Sequence, residues 1–285
     1  MNRLRRSCLV VPGSEPRMLG KAATLPADEV ILDLEDAVAP EAKAPARANV
    51  VAALTEQDWG NRIRAVRVNG WNSDSTVEDL VEIVAAGPDC VVLPKVNAVA
   101  QVQAADRVLS QLERRHGRPE GRIGLEVQIE DPAGLAVAGA LAALPRVETL
   151  IFGPLDFAAA MGIPRLTDSA YESILLQIVL AARACGKQAI DGPVPAFRDV
   201  DAITRSASRS AAIGCDGKWV IHPDQIAPAN SAFIPTQEEF DRAEALIEAY
   251  TRERGAAVFA GEMIDEASYR IALAVRARGR AARLC

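Results

Sequence analysis

Eight short β-like runs alternate with Ala-rich helical patterns over most of the chain. The runs end at Val11, Leu34, Asn69, Leu93, Glu130, Phe152, Ile190 and Ile221. Strand and helix alternation repeated eight times predicts an α/β protein with a (β/α)₈ TIM barrel. A doubly wound open sheet is the alternative, but no GxGxxG motif follows the first run.

Two carboxylates follow neighbouring runs. Glu130 closes IGLEVQIE, in which apolar and polar residues alternate, and Asp156 follows VETLIF. Consecutive strands of a parallel sheet end at the same edge, so we expect Glu130 and Asp156 to meet there. Two nearby carboxylates repel each other, and a hard divalent cation, most simply Mg²⁺, would relieve that repulsion. The other interpretation is a pair of solvated loop acids.

Reactive side chains also close, or directly follow, most of the other runs. They are Glu35, Asp36, Arg67, Asn69, Lys95, Asp191 and His222. Barrel enzymes build their active sites from this end of the strands, which favours an enzyme over a purely structural chain. Any single one of these residues could still be a loop charge or a helix cap.

The chain continues past what barrel closure requires. We expect residues 1–230 to form the barrel and 231–285 a C-terminal helical extension that acts as a lid or packs on a neighbouring subunit. The sequence of this extension predicts a helix from about Gln237 to Arg254. It also predicts a second helix of roughly three turns after Asp265. From its position alone, Asp265 is expected to be the N-cap of that last helix.

Charge and cysteine content narrow the class of protein. The formal charge is −6 and no basic stripe with interleaved aromatics occurs, which argues against nucleic-acid binding. The Arg-rich ends, NRLRR and RARGRAAR, are expected to be solvated. Five scattered cysteines without CxxC spacing favour a reducing cytoplasm and no zinc site. No apolar run has the length of an export signal or a membrane span.

Nine segments together resemble a known family. They are VPGSEPRMLGKA, LDLEDAVAPEAKAPAR, VRVNG, VVLPKV, QIEDPAGL, FGPLDFAAAMG, AIDG, GKWVIHPDQI and GEMID. In this order they resemble the citrate lyase beta-subunit-like family, relatives of malyl-CoA and citramalyl-CoA lyases in the aldolase/citrate lyase superfamily. The resemblance covers almost the whole chain.

The resemblance implies roles for individual residues. Glu130 and Asp156 match the family's Mg²⁺ ligands, and Arg67 matches an arginine that contacts the substrate and its thioester or enolate oxygen. Arg67 and Glu130 are therefore the expected substrate-binding residues. Asp265 matches an acid that reaches the active site of an adjacent subunit, which replaces the N-cap interpretation with a catalytic one.

Further positions follow from the same resemblance. Arg17 and Lys21 fall where relatives present basic residues to the CoA phosphates. Glu35 and Asp36 are expected near the metal through its waters, and His222 is expected to be structural. Asp131 departs from the family, in which Ser or Thr commonly follows the metal glutamate. The extra acid could either lie next to the metal's direct ligands or tune the choice of substrate.

The implied activity is that of a Mg²⁺-dependent carbon–carbon lyase. It would cleave a 3-hydroxyacyl-CoA, such as malyl-CoA or citramalyl-CoA, into an acyl-CoA and a 2-oxo acid. In the reverse direction it would form the 3-hydroxyacyl-CoA from these two compounds. The alternatives are a malyl-CoA thioesterase, the citryl-CoA lyase beta subunit of a citrate lyase complex, or a non-catalytic binding protein. A homotrimer or homohexamer is expected from the shared active site.

Overall fold

The computed structural model describes residues 3–253 and 255–282. Residue contacts divide the chain between Asn230 and Ser231 into two units, and each is treated by itself. No helix in the described part of the chain is long and apolar enough to cross a membrane.

The first unit contains a closed barrel of eight parallel strands. In chain order they are β1 Ser7–Pro12, β2 Glu29–Asp33, β3 Ile63–Arg67, β4 Cys90–Leu93, β5 Gly124–Ile129, β6 Val147–Phe152, β7 Gln188–Asp191 and β8 Gly217–Val220. Each strand pairs with the next, and β8 pairs with β1 to close the barrel. The (β/α)₈ fold predicted from the alternating pattern is therefore confirmed.

Helices connect the strands. They are α1 Pro16–Ala22, α2 Lys43–Glu56, α3 Ser75–Ala86, α4 Val99–Arg115, α5 Pro132–Ala136, α6 Ala138–Ala142, α7 Pro154–Ala160, α8 Asp168–Ala184, α9 Val200–Ile213 and α10 Ile226–Ala232. The segment after β5 does not form one continuous helix but breaks at Val137 into the short helices α5 and α6. Two glycines and a β-branched valine in this short segment weaken its helical propensity.

Small and branched side chains, together with one tryptophan, fill the middle of the barrel. Cys8, Ile31, Ile63, Ala65, Cys90, Val92, Ile151, Ile190 and Trp219 form this cluster. It closes the interior, so the barrel is a packed core and not a pore. The chemistry is left to the carboxyl ends of the strands.

At the amino end of the barrel, one prediction was wrong: an arginine expected to be solvated is buried. Arg5, in the Arg-rich start that was expected to be solvated, is only 2% exposed. Its guanidinium donates to Glu29 at 2.8 Å, to Glu126 at 3.0 Å and to Gln188 at 2.6 Å. The acids of β2 and β5 are buried, and a buried acid needs a partner. Arg5 supplies that partner, which charge counting along the sequence could not reveal.

The second unit packs two long helices against each other. It comprises α11 Gln237–Glu253, β9 Ala257–Phe259, β10 Glu262–Ile264 and α12 Glu266–Ala281. Gly279 of α12 allows Phe240 of α11 to approach so closely that a Cβ there would lie 2.2 Å from the ring. The antiparallel pair β9–β10 was not predicted, and α12 has 16 residues, more than three turns. Arg254 and residues 283–285 lie outside the described residues.

Candidate active site

Glu130 lies at the carboxyl end of β5 and is 3% exposed. Its Oε2 accepts the backbone N–H of Lys95 at 2.6 Å, and its Oε1 accepts the amide Nε2 of Gln128 at 3.1 Å. A Cβ at Gly153 would lie 2.4 Å from Cγ of Glu130. The glycine after β6 is thus what leaves room for the acid against the neighbouring backbone.

Asp156 lies in the first turn of α7, directly after β6. It lines the same two cavities as Glu130, so the predicted meeting of the two acids at one edge is observed. Burial and the charge of Asp156 raise the pKa of Glu130 to about 8. Two carboxylates that line one cavity repel each other in their charged forms, and a cation between them would relieve that repulsion.

This arrangement fits a divalent cation. Gln128 lines the central cavity beside Glu130, and its buried Oε1 has no partner among the described residues, so it is one further oxygen. No group of three or more His, Cys, Asp or Glu side chains in the described part of the chain could hold a metal by itself. Mg²⁺ commonly binds through one or two carboxylates and completes its shell with water or substrate oxygens. Glu130 and Asp156 suit that ion.

Arg67 is the last residue of β3 and is 7% exposed. Its Nε and one terminal nitrogen donate to the two carboxylate oxygens of Asp33, at 2.7 and 2.6 Å. Its other terminal nitrogen lies 3.2 Å from Oε2 of Glu35, and its guanidinium carbon lies 5.3 Å from the ring centroid of Trp219. These acids raise the pKa of Arg67, which is a fixed and permanently charged cation.

Asp33 was not singled out from the sequence, although it lies inside the LDLED segment. It ends β2 and also accepts the backbone N–H groups of Glu35 at 2.9 Å and Ala37 at 3.1 Å. It therefore holds both Arg67 and the loop after β2. Its position two residues after the inward-facing Ile31 is the signal that could have identified it.

Glu35 and Asp36 surround the side chain of Lys95. The ammonium donates to Glu35 at 2.5 Å and to Asp36 at 3.1 Å. Burial raises the pKa of Glu35, whereas Lys95 contributes to lowering that of Asp36. Asp36 lines the central cavity with Glu130 and Asp156, and the expected contact with metal-bound water stays a prediction.

Two cavities of about 310 Å³ each border the acids. The central cavity at the barrel mouth is lined by Asp33, Arg67, Gln128, Glu130, Asp156 and Trp219, with apolar walls that include Val10, Phe152 and Pro193. The side cavity is lined by Trp71, Asn72, Lys95, Asn97, Gln101, Glu130, Asp131, Asp156 and Ala160. The central cavity therefore holds the Arg67 cation together with the carboxylates of Glu130 and Asp156, and a fixed cation of this kind can stabilise an anionic intermediate.

Asp131 and His222 each cap the turn that follows them, and Asp131 also contacts a distant loop residue. Oδ1 of Asp131 caps α5 by accepting the backbone N–H of Gly134 at 2.6 Å, while Oδ2 accepts the Asn97 amide at 3.2 Å. Nδ1 of His222 accepts the backbone N–H of Asp224 at 3.2 Å. His222 thus shapes its own turn, in keeping with the structural role expected for it.

The remaining predicted residues lie elsewhere. Arg17 and Lys21 are exposed on α1, after β1. Asp265 belongs to the second unit, where its Oδ1 accepts the backbone N–H of Ser268 at 3.0 Å and caps α12. This hydrogen bond lowers the pKa of Asp265. The first unit thus brings together Glu130, Asp156 and Arg67, and the roles of the other three residues stay predictions.

Residues 6–223 match the model of the HpcH/HpaI aldolase/citrate lyase family. The chain belongs to this family. The family resemblance inferred from the nine motifs is confirmed, and the matched region contains all eight strands of the barrel, from β1 to β8.

Several known proteins resemble the chain over nearly its full length. The L-malyl-CoA/beta-methylmalyl-CoA lyase of Rhodobacter capsulatus is 37% identical, over 94% of this chain and 92% of the relative. The (3S)-malyl-CoA thioesterase of Cereibacter sphaeroides is 34% identical, over 91% and 89%. The crystal structure of CitE from Mycobacterium tuberculosis, in complex with magnesium, acetoacetate and coenzyme A, superimposes with a TM-score of 0.79 at 28% identity, over 98% of this chain and 100% of CitE.

Proposed function

We propose that the protein is a Mg²⁺-dependent lyase that cleaves, or forms, a 3-hydroxyacyl-CoA such as malyl-CoA or citramalyl-CoA. The products of cleavage are an acyl-CoA and a 2-oxo acid. The observation that carries the proposal is that Glu130, Asp156 and the doubly anchored Arg67 line one cavity. The lyase name of the Rhodobacter capsulatus relative and the magnesium in the CitE complex support it.

Glu130 and Asp156 would hold the metal ion. Bound there, Mg²⁺ supplies a Lewis acid for the oxygens of the 2-oxo acid half of the substrate. Lys95 and Gln128 orient Glu130 through their hydrogen bonds. A ligand held in this way binds its metal more tightly than a free side chain would.

Arg67 would stabilise the enolate. In cleavage, the bond between the hydroxyl-bearing carbon and C2 breaks, and its electron pair passes into the thioester as an enolate. Asp33 holds the guanidinium through both oxygens, so the cation is in place before this charge develops and needs no reorganisation. The hydroxyl proton is released and one proton returns to the enolate carbon, so the cleavage is proton-neutral.

Asp265 would deliver or remove the proton at the enolate carbon, acting in the active site of a neighbouring subunit. Its carboxylate is exposed and its pKa is lowered, as suits a base in the condensation direction. Arg17 and Lys21, exposed on α1, would contact the CoA phosphates. The protein would then work as a homotrimer or homohexamer. The free described cysteines, Cys8, Cys90, Cys185 and Cys215, support a cytoplasmic location.

Thioester hydrolysis is a second candidate, since the thioesterase relative is 34% identical to this chain over the 265 aligned residues. A third is the beta subunit of a citrate lyase complex. To separate them, the purified protein is incubated with Mg²⁺ and malyl-CoA, methylmalyl-CoA, citramalyl-CoA or citryl-CoA, and the products are identified by mass spectrometry. EDTA and Glu130→Ala serve as controls.

The products decide among the candidates. Metal-dependent release of a 2-oxo acid together with an acyl-CoA supports the lyase. Free CoA with an intact hydroxy acid supports the thioesterase instead. Turnover of none of the four thioesters refutes a free-standing enzyme for these substrates and favours the complex-bound subunit.

A further inference from the structure

Lys95 adopts a backbone conformation that residues other than glycine rarely adopt. It follows β4 and Pro94 with a φ of 54°, and Ala260 is the one other non-glycine residue with a positive φ in the described part of the chain. An L-amino acid is strained in this left-handed region. Such strain persists where the surrounding contacts impose it, commonly at functional sites.

The left-handed turn lets one residue contact both halves of the candidate site. Its backbone N–H donates to Oε2 of Glu130 at 2.6 Å. Its side chain extends to Oε1 of Glu35 at 2.5 Å. The other oxygen of that acid, Oε2, lies 3.2 Å from Arg67. Lys95 therefore connects the proposed metal ligand to the proposed enolate-stabilising cation.

Charge explains why a cation is needed at this point. Asp33 already pairs with Arg67 through both of its carboxylate oxygens and offsets part of its charge. Glu35 is buried on the other side of the guanidinium and would add a second negative charge. The Lys95 ammonium pairs with Glu35 at 2.5 Å and, at 3.1 Å, with Asp36. It offsets the charge of Glu35, so Arg67 keeps more of its attraction for an anion in the cavity.

We propose that Lys95 is a positioning residue that aims Glu130 through its backbone and keeps the charge of Glu35 from cancelling that of Arg67. The inference rests on the proposed function, because it assigns Glu130 to the metal and Arg67 to the substrate anion. It adds to that function a residue which holds the two groups in register.

The test uses Lys95→Gly, which removes the ammonium but keeps the backbone N–H and accepts a positive φ without strain. It is compared with Glu35→Gln and with the double variant that carries both changes. Lys187→Met is the matched control. Lys187 lies before β7, at the opposite end of the barrel, and donates to a backbone carbonyl. The readouts are Mn²⁺ affinity, oxalate affinity in the presence of Mn²⁺, and kcat and KM for the thioester.

We expect Lys95→Gly to bind Mn²⁺ within about threefold of the wild type, because the contact with Glu130 is retained. Oxalate affinity and kcat should each fall at least about tenfold, and Glu35→Gln in the same chain should recover most of both losses. Additive losses in the double variant, or a Mn²⁺ affinity more than tenfold weaker in Lys95→Gly, would show that Lys95 is merely structural and overturn the proposal.

The affinities for Mn²⁺ and for oxalate can be measured whether or not the protein turns over a thioester. A wild-type protein that binds both but cleaves no thioester refutes the lyase. In that case the oxalate affinity of the double variant still shows whether Lys95 acts as proposed. Lys187→Met should match the wild type in every measurement.

Discussion

Gly153→Ala tests whether close approach of the backbone sets the position of Glu130. The new Cβ would lie 2.4 Å from Cγ and 2.7 Å from Oε1 of Glu130. Normal carbon contacts are about 3.5–4.0 Å, so the acid would have to move by about 1 Å. A displacement of that size breaks its 2.6 Å hydrogen bond from the Lys95 N–H.

Two costs set the magnitude. A hydrogen bond to a charged group contributes about 1.5–3 kcal/mol, and overpacking of a well-packed site costs about 1–3 kcal/mol. We expect the free energy of unfolding to fall by about 3 kcal/mol. We expect Mg²⁺ affinity to fall about tenfold to a hundredfold, as is typical when a ligand loses its orienting contacts.

Urea denaturation and metal titration measure these two effects. Gly139→Ala is the control, because nothing lies within 4 Å of a Cβ at that position in α6. It should stabilise the protein by about 0.5–1 kcal/mol, the usual gain of alanine over glycine in a helix. If Gly153→Ala matches the wild type in both stability and metal affinity, the packing argument for Glu130 is wrong.

Three further substitutions probe other parts of the molecule. Arg5→Met leaves Glu29 and Glu126 buried without their cation, so the free energy of unfolding in urea should fall by about 3–5 kcal/mol; a loss below about 1 kcal/mol would contradict this. The lysine in Arg67→Lys cannot reproduce the two-oxygen pair with Asp33, so kcat/KM should fall about a hundredfold. The far-UV circular dichroism spectrum should not change. A wild-type value of kcat/KM would exclude the guanidinium from the mechanism. Asp265→Asn should bind Mg²⁺ normally and keep its helix cap but lose turnover, and unchanged turnover would exclude this residue as the acid or base.

The sequence pattern predicted the barrel and much of the site because both depend on local periodicity. Strands buried on both faces appear as short apolar runs, and β6 has the predicted bounds, Val147–Phe152. Glu130 and Asp156 were identifiable because each directly follows such a run. The nine motifs then indicated the family, which the comparisons confirm.

Contacts between residues distant in sequence were not predictable in this way. Arg5 contacts Glu126 across 121 positions, and its charge looked like that of a solvated terminus until the fold placed it inside the barrel. Asp33 looked like one more acid of LDLED, and its two-oxygen hold on Arg67 depends on how β2 and β3 pair.

The sequence by itself therefore determined the order of the strands, the end of the barrel that carries the chemistry and the acids that follow β5 and β6. The tertiary structure decided which charges neutralise one another and which are left to act on a ligand. The physical reason is that hydrophobic periodicity is a property of neighbouring residues. The interaction energy of a buried charge depends on its distance from other charges, and only the closed barrel brings those charges together.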